Sequence, residues 1–481
     1  MTNNIEPAYS AIRGVMARFE LSPRVEPNDL ISIEQVFFPS GHRNVLDLNR
    51  QLVVGNRGVG KSFWTHALTN QTVKSKLSNI YSFPHLANAE IVIGFNASVK
   101  YSEIIPSRDE IQAAYERKID PQVIWRAVIL RAGRSMRGGQ PQKLDAVVQE
   151  IQSDVTVYAR ELTNIDNELT AATKSLLIVF DALDRLADDW GSIRELTKGL
   201  LRTVLDLRSF KNIRAKVFMR VDQFADTELF QFADSSKIRN DSVHLAWNAY
   251  ELYGLVLFEL MKNPEANAAL QLLANRLGAQ IVLPSDGRVS DVQPEKQAAL
   301  ISAIAGEFMG SNKKRGRVYT WVPLHLSDAA ENCSPRTFIS AWKAAATHTP
   351  TPERAVDHLG LNDGVRVASK DRMAELSEEY RWINVALEPL RRQFVPISKD
   401  DLFQLWDAKQ VVDKINKKAA TNNWLAPIGM FTEQNNEALL RTMTSIAVME
   451  ERGNKKINVP DIFRVEAGIL RKGGVAVPRK K

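Results

Sequence analysis

The sequence predicts an α/β protein with a P-loop NTPase parallel sheet, followed by a helical subdomain and a winged-helix-like C-terminal domain. Three observations support this fold class. The short apolar run Gln51–Val54 leads directly into a glycine-rich loop and then a helical segment. The run Ser175–Phe180 is continuously apolar, as expected of a strand that is buried on both faces. Apolar runs alternate with helical patterns up to about residue 248, which is typical of parallel βαβ units.

The loop after the first strand matches the full P-loop pattern G-x-x-x-x-G-K-[ST]. Its glycines permit backbone conformations that a Cβ would forbid, so successive N–H groups can turn towards an anion. Lys61 can reach the β- and γ-phosphates, and the Ser62 hydroxyl can complete a magnesium shell. A chance glycine-rich turn is the competing interpretation, and the strand–loop–helix context disfavours it. The sequence therefore predicts ATP and Mg²⁺ as cofactors, with nucleotide contacts from Gly55, Asn56, Arg57, Gly58, Val59, Gly60, Lys61, Ser62 and Phe63.

Asp181, directly after the second apolar strand quoted above, is the second predicted magnesium ligand, beside Ser62. A carboxylate at the tip of a buried strand is rarely there for packing alone, because an unpaired charge at such a place is costly. Many ATPases carry a water-activating glutamate at the next position, where this chain has Ala182. Asp184 is the nearest substitute. It either orients the attacking water or pairs with Arg185, and the sequence leaves both alternatives open.

Two arginines are candidates for contact with the transferred phosphate. Arg220 follows the strand Ala215–Met219 and would face the γ-phosphate edge, although an ion pair with Asp222 is the alternative. Arg336 begins a helix and could reach in from the helical subdomain, although an ordinary surface arginine would fit the same pattern. The candidate catalytic residues are therefore Lys61, Asp184 and Arg220, and Arg336 joins the nucleotide-binding set.

Composition limits the other function classes. A chain of 481 residues is too long for one ordinary core, so two or three domains are expected. The single cysteine, Cys333, excludes an internal disulfide and fits a reducing compartment. No apolar run has the length of a signal peptide or membrane span, so we expect a cytoplasmic protein without a membrane partner. The histidines show no metal-ligand spacing, and no serine lies in a nucleophile-elbow context.

The net charge of +7 is concentrated at one end. Residues 451–481 carry nine Lys/Arg and three Asp/Glu, which leaves the rest of the chain nearly neutral. Arg452, Lys455 and Lys456 flank a Gly-Asn turn and would cluster at the tip of a wing, with further cations along the tail. This asymmetry predicts contact with nucleic acid or an acidic protein face, and a frayed, solubilising tail would look similar.

The expected domain boundaries follow changes in pattern. Residues 1–49 read as a lead-in, 50–248 as the P-loop NTPase core, 249–350 as a helical lid subdomain, and 351–481 as a helical and winged-helix-like domain with a basic tail. Thr349–Pro352 is the predicted linker, and Arg372–Phe394 is predicted to be one long amphipathic helix.

The strand Ser175–Phe180 and the residues after it resemble a known family. LLIVFDALDRL (Leu176–Leu186) resembles the Walker B segment of the STAND class of P-loop NTPases, especially its NACHT and KAP branches. A small residue often follows the magnesium-binding aspartate in that class, and a second acid comes three positions after it. Asp181, Ala182 and Asp184 match that arrangement. VFMRVDQF (Val217–Phe224) is similar to the following strand of the family, which implies a sensor role for the arginine within it.

Weaker similarities extend the resemblance over roughly residues 30–345 and to the C-terminus. SPRTF (Ser334–Phe338) resembles the proline-containing motif of the helical subdomain, although Ser334 replaces the usual glycine. Asn458–Arg464 and Arg471–Val475 resemble the ends of bacterial STAND-like ATPases that close with a winged helix. Large fused effector and repeat-sensor domains are not seen, which implies that separate proteins supply the effectors.

The sequence as a whole predicts an ATP-binding, slowly hydrolysing molecular switch that controls self-assembly or a partner effector. The resemblance implies bacterial stress signalling or antiviral defence, with a homo-oligomer or a separately encoded effector protein as partner. A DNA-binding initiator or remodelling ATPase of the AAA+ type, with the winged helix and basic tail on DNA, is one alternative. The other is a nucleotide-locked scaffold that binds ATP without turnover.

Overall fold

The computed structural model describes residues 5–20, 36–96, 98, 100–138, 140–278, 294–348, 353–422, 424–472 and 475–477. Its centre is a five-stranded parallel sheet in the order β2-β3-β4-β1-β5. The strands are β1 (Leu52–Val54), β2 (Ala89–Phe95), β3 (Ser175–Phe180), β4 (Ile213–Met219) and β5 (Val243–His244). The predicted parallel sheet is confirmed, and β4 begins two residues before the predicted start.

The strand order determines which loops meet. β1 pairs with β4, which in turn pairs with β3, so β4 separates the P-loop strand from the strand that ends before Asp181. Because all five strands are parallel, their carboxyl ends lie at one edge of the sheet. The P-loop, Asp181 and Arg220 follow β1, β3 and β4 and therefore meet at that edge.

Helices cover both faces of the sheet. Alternate residues of the strands enter two separate cores: Leu176 and Ile178 join one, and Leu177 and Val179 join the other. Burial on both faces explains why β3 is continuously apolar. The helices of this part are α2 (Lys61–Thr69), α3 (Gln71–Ile80), α4 (Pro84–Ala87), α5 (Arg108–Glu116), α6 (Pro121–Ser135), α7 (Leu144–Ser153), α8 (Val157–Ala171), α9 (Trp190–Asp206), α10 (Val221–Ala225) and α11 (Ser235–Arg239).

A helical lid follows the sheet. It comprises α12 (Ala249–Met261), α13 (Pro264–Arg276), α14 (Pro294–Ala305), α15 (Val318–Leu326) and α16 (Pro335–Thr347). The N-terminal helix α1 (Glu6–Met16) packs against α12, α13 and α16, so this part of the lead-in belongs to the lid in space.

The C-terminal domain has a winged-helix arrangement, as predicted. A short strand precedes three helices and a two-stranded wing, and the three strands form an antiparallel sheet in the order β7-β9-β8. Ser398 caps α19 by accepting a hydrogen bond from the backbone N–H of Asp401 at 3.1 Å. The elements are α17 (His358–Glu379), α18 (Ile383–Leu387), β6 (Phe394–Val395), β7 (Ile397–Ser398), α19 (Lys399–Ala408), α20 (Val411–Asn422), α21 (Asn436–Ser445), β8 (Glu450–Glu451), β9 (Lys456–Asn458), α22 (Asp461–Ala467) and β10 (Leu470–Arg471).

The prediction of one long helix over Arg372–Phe394 is wrong. α17 begins at His358 and ends at Glu379, and the chain then turns before the short helix α18. The earlier start was missed because Gly360 and Gly364 resemble loop residues. Both glycines lie where α17 crosses α16, and a Cβ at Gly364 would clash with the carbonyl oxygen of Ala341. The predicted linker Thr349–Pro352 lies outside the described residues.

The lid and the C-terminal domain share one hydrophobic core. Buried side chains of α12, α16, α17 and α22 belong to a single cluster that runs from the lid into the winged helix. The sheet domain has its own two cores. A small separate cluster around Trp190 joins α9 to the segment after α20, where the Trp190 indole donates to the carbonyl oxygen of Ala426 at 2.6 Å.

Candidate nucleotide site

The P-loop has the backbone geometry that its glycines predict. Gly58 and Gly60 have φ values of +83° and +112°, a region that side chains with a Cβ rarely adopt. A Cβ at Gly55 would lie 2.6 Å from the Val59 side chain. The loop therefore encloses a backbone cradle ahead of α2, where N–H groups and the helix N-terminus favour an anion.

Lys61 is held inside this cradle. Its ammonium donates to the carbonyl oxygens of Gly55 at 2.7 Å and Asn56 at 3.0 Å. Burial lowers the pKa of Lys61, and the charges of Glu379 and Asp181 oppose that shift. Glu379 opposes the shift more strongly than any other charged group. It comes from α17 of the C-terminal domain, and the sequence did not indicate this contribution.

Asp181 lies buried beside α2. Its Oδ2 accepts a hydrogen bond from the Thr65 hydroxyl at 3.4 Å, and its Oδ1 accepts from the backbone N–H of Ala182 at 2.8 Å. Burial raises the pKa of Asp181, whereas the Ala182 hydrogen bond and the charge of Lys61 lower it. No cluster of three or more metal-binding side chains occurs among the described residues, so Mg²⁺ would need oxygens from a nucleotide to complete its shell. Ser62 lines the P-loop cleft, and Asp181 contacts Thr65 about one turn further along α2, so a hydroxyl and a carboxylate oxygen are present for such a shell.

Arg220 is surrounded by carboxylates. Its Nε and Nη2 form a bidentate pair with Asp222 at 2.9 and 2.6 Å, and its Nη1 donates to Asp184 at 3.2 Å. Glu379 lies 3.2 Å from Nε, and the guanidinium stacks over the Tyr380 ring. The structure thus shows the ion pair with Asp222, which was the sequence-based alternative to a phosphate contact.

Asp184 and Arg336 have partners other than those predicted. Asp184 pairs with Arg220 rather than with Arg185. Arg336 does reach the P-loop cleft from the lid, and its Nη1 donates to Glu375 of α17 at 3.0 Å. Their roles in hydrolysis and phosphate binding stay predictions.

The cleft beside the P-loop has a volume of about 510 Å³, within the usual range for small-molecule sites. One side is lined by Arg57, Lys61 and the rest of the loop. The other side is apolar and aromatic, formed by Phe37, Trp247, Leu255 and Ile339. The Phe37 and Trp247 rings stack at 5.9 Å, and the Trp247 indole donates to the carbonyl oxygen of Val59 at 3.1 Å. A charged phosphate cradle next to an aromatic slot matches the two halves of a nucleotide.

Sequence reasoning missed the apolar wall because its members come from three distant segments. Phe37 precedes the sheet, Trp247 follows β5, and Leu255 lies on α12. Asp328 was missed as well. It accepts from the Asn56 side chain at 3.1 Å and so ties the P-loop to the lid, and burial raises its pKa to about 6. Only a signal that joins distant positions could have identified these residues.

Comparisons with known proteins give no match at the sequence level, either to a family model or to a curated protein. The similar solved structures include the Aeropyrum pernix ORC2 protein in ADPNP–ADP complexes, with 12% identity, coverage of 91% of this chain and 94% of that chain, and a TM-score of 0.39. Cdc6p from Pyrobaculum aerophilum has 12% identity, coverages of 92% and 93%, and a TM-score of 0.29. The Aeropyrum pernix ORC1 protein in complex with DNA has 12% identity, coverages of 93% and 93%, and a TM-score of 0.29.

We draw no conclusion about this chain from similarities at these TM-scores. Its own parallel sheet, P-loop and buried Asp181 show the fold of a P-loop NTPase. In the described part of the chain, no helix combines the length and apolar character needed to cross a bilayer.

We expect Leu255→Ala to weaken binding of ATP by about tenfold but leave binding of inorganic triphosphate unchanged. Leu255 lines the apolar side of the cleft, and loss of buried apolar atoms costs about 0.8 kcal/mol for each CH₂ group. Equilibrium binding of the two ligands measures the difference. Leu272→Ala, at a partly buried lid residue outside the cleft lining, is the control. Equal weakening of both ligands would place the base elsewhere.

Proposed function

We propose that this protein is a Mg²⁺-dependent ATPase of the AAA+ type, in which the bound nucleotide sets the position of the lid and C-terminal domain relative to the sheet. The observation that carries the proposal is the single cleft in which the P-loop, an aromatic wall and Arg336 of the lid meet. A ligand in this cleft touches both the sheet domain and the lid, so its binding depends on how the two are arranged.

The chain's own residues divide the work. The P-loop N–H groups and Lys61 would bind the phosphates, and Asp181 and Ser62 would hold Mg²⁺, which supplies charge neutralisation at the phosphates when bound. Asp184 borders a second cavity of about 590 Å³ and is held by Arg220. Its carboxylate would orient the attacking water in place of the glutamate that many ATPases carry where this chain has Ala182.

Lys61→Ala should abolish triphosphate binding. Lys61 is the cation that the P-loop carbonyls hold inside the cradle, and its loss leaves the β- and γ-phosphates without a point charge there. Titration with a labelled ATP analogue measures the effect, with Lys76→Gln on the exposed surface of α3 as the control. Retained affinity in the alanine variant would remove the P-loop from the proposal.

Asp184→Asn should slow hydrolysis by about 10²-fold or more while ATP affinity changes little, because a general base contributes about 10²- to 10⁴-fold to rate. Single-turnover hydrolysis and equilibrium binding separate the two effects. Asp188→Asn is a matched control, since Asp188 borders the same cavity and pairs with Arg108 at 2.6 Å. Weaker binding with unchanged turnover would instead assign Asp184 to the metal. No turnover by the wild-type protein would favour the non-hydrolysing scaffold.

A specific observation favours a nucleic-acid-binding initiator or remodeller over a STAND-type switch. The winged helix carries exposed lysines at positions 414, 417 and 418 on one side of α20, and no ion pair is seen for them in the described residues. The exposed Arg441 of α21, by contrast, pairs with Glu433 at 2.9 Å. Of the predicted wing cations, Arg452 pairs with Glu450. Lys455 and Lys456 of the wing are exposed, and among the described residues they too show no ion pair. The unneutralised charge thus lies on α20 and on the wing, which suits a phosphate backbone.

Lys414→Gln, Lys417→Gln and Lys418→Gln together should weaken binding to random duplex DNA and reduce its salt dependence. Each phosphate contact contributes about −0.9 to the slope of log affinity against log salt. Fluorescence anisotropy over a salt series measures the slope, and the exposed trio Lys76→Gln, Lys100→Gln and Lys211→Gln is the charge-matched control. The same loss of affinity in both trios would indicate an effect of net charge alone. No binding by wild type at low salt would return the proposal to the STAND-type switch with a protein effector.

A further inference from the structure

The last turns of α17 lie against the basic groups of the nucleotide site. Glu378 pairs with Arg57 of the P-loop at 2.9 Å. Glu375 pairs with Arg336 of the lid at 3.0 Å, and its backbone carbonyl accepts from Arg57 at 3.3 Å. Both arginines line the nucleotide cleft. Two cations available to a phosphate in that cleft are therefore neutralised by carboxylates from one helix of the C-terminal domain.

A third carboxylate of α17, that of Glu379, contacts Arg220 instead of the arginines that line the cleft. Glu379 lies 3.2 Å from Arg220, and among the charges that raise the pKa of Lys61 its contribution is the largest. Its side chain is 12% exposed. Burial raises the pKa of Glu379, while Arg220 and Lys61 lower it. The Glu379 carboxylate thus neutralises Arg220, the cation that follows β4 at the carboxyl edge of the sheet.

Two of these acids destabilise the end of α17 on which they lie. Glu378 and Glu379 occupy the last turn of α17, where the helix dipole is negative and acidic residues are unfavourable. Acidic residues at the C-terminal end of a helix are usually stabilised by an interaction outside that helix. Here the compensation comes from Arg57 and Arg220, which belong to the sheet domain.

The contact joins two bodies with separate cores. α17 packs on α16 and α22 within the core that the lid and the C-terminal domain share. Arg57 and Arg220 lie at the carboxyl edge of the sheet. The Glu378–Arg57 and Glu379–Arg220 pairs, together with the Trp190 cluster, therefore hold the C-terminal domain against the sheet domain.

We propose that Glu375, Glu378 and Glu379 form a carboxylate clamp that competes with nucleotide phosphates for the arginines around the P-loop, so that phosphate binding releases the C-terminal domain from the sheet. The proposal rests on the function proposed above in that the phosphates are those of ATP. An anion entering the cleft offers Arg57 and Arg336 charge-assisted hydrogen bonds in place of those that the glutamates now accept. By linkage, whatever weakens the clamp tightens nucleotide, and nucleotide weakens the clamp to the same degree.

The test compares wild type with the variant Glu375→Gln, Glu378→Gln and Glu379→Gln in the full chain. The variant should bind a labelled ATP analogue on the order of tenfold more tightly, a typical coupling between two sites. Its amides at residues 372–380 should also exchange hydrogen faster without nucleotide, because the end of α17 has lost its partners. In wild type, the ATP analogue should accelerate exchange of the same amides.

Two further variants serve as controls, one for the loss of a negative charge and one for damage to the fold. Glu388→Gln removes an exposed charge after α18 and should change neither measurement. Glu378→Gln alone, at a side chain that is 67% exposed, should give a smaller tightening without any risk to folding. Unchanged or weaker analogue binding in the triple variant overturns the clamp, as does tighter binding without faster exchange. Lost turnover with unchanged affinity overturns it too, since Glu379 would then act as a base. If wild type binds no analogue, the proposed function fails, and exchange in the triple variant alone decides the clamp.

Discussion

The balance of charge around Arg220 is the interaction on which the arrangement of this protein depends. Arg220 directly follows β4, the central strand of the sheet, and is almost fully buried. Burial alone would lower its pKa, but Asp222, Tyr380, Glu379 and Asp184 together raise it well above its usual value. A desolvated guanidinium needs such partners, because removing one side of a buried pair leaves an uncompensated charge. Two of the partners, Glu379 and Tyr380, come from the C-terminal domain, so domain position and charge balance are coupled.

The same coupling extends to the P-loop. Burial shifts the pKa of Lys61 down and those of Asp181 and Glu379 up, so that each group is pushed towards its neutral form. A ligand that brings charges of the opposite sign would stabilise the charged forms of these groups. Under the proposed function, magnesium and phosphates would bring charges of both signs: the cation would suit Asp181, and the phosphate oxygens would suit Lys61 and the neighbouring arginines.

The sequence predicts the parts of this protein that local patterns determine. The P-loop, the strand ahead of Asp181 and the winged-helix hairpin all follow from spacing and residue type within a few positions, and each is present. The start of α17 could not be predicted in this way, because Gly360 and Gly364 break the local pattern to let α16 approach. The Asp222 pair of Arg220 was one of the sequence-based alternatives, but the partners that Arg220 and Arg57 find on α17 were equally hidden. Glu378 and Glu379 lie more than 150 residues from either arginine in sequence, and only the fold brings them together.

These contacts suggest a physical reason why position 182, where many ATPases carry a glutamate, is an alanine in this chain. Ala182 has a left-handed backbone with φ of +59°, and it directs the chain into the turn that carries Asp184 towards Arg220. A glutamate at position 182 would add a further negative charge beside Asp181, Asp184 and Glu379, which already share few cations. The small side chain keeps that balance while Glu379 enters from the other domain. A carboxylate on α17 belongs to the C-terminal domain, whereas one that directly follows β3 belongs to the sheet. Part of the acidic surroundings of the P-loop and Arg220 therefore comes from a domain with its own hydrophobic core, so those acids depend on how the two domains pack together.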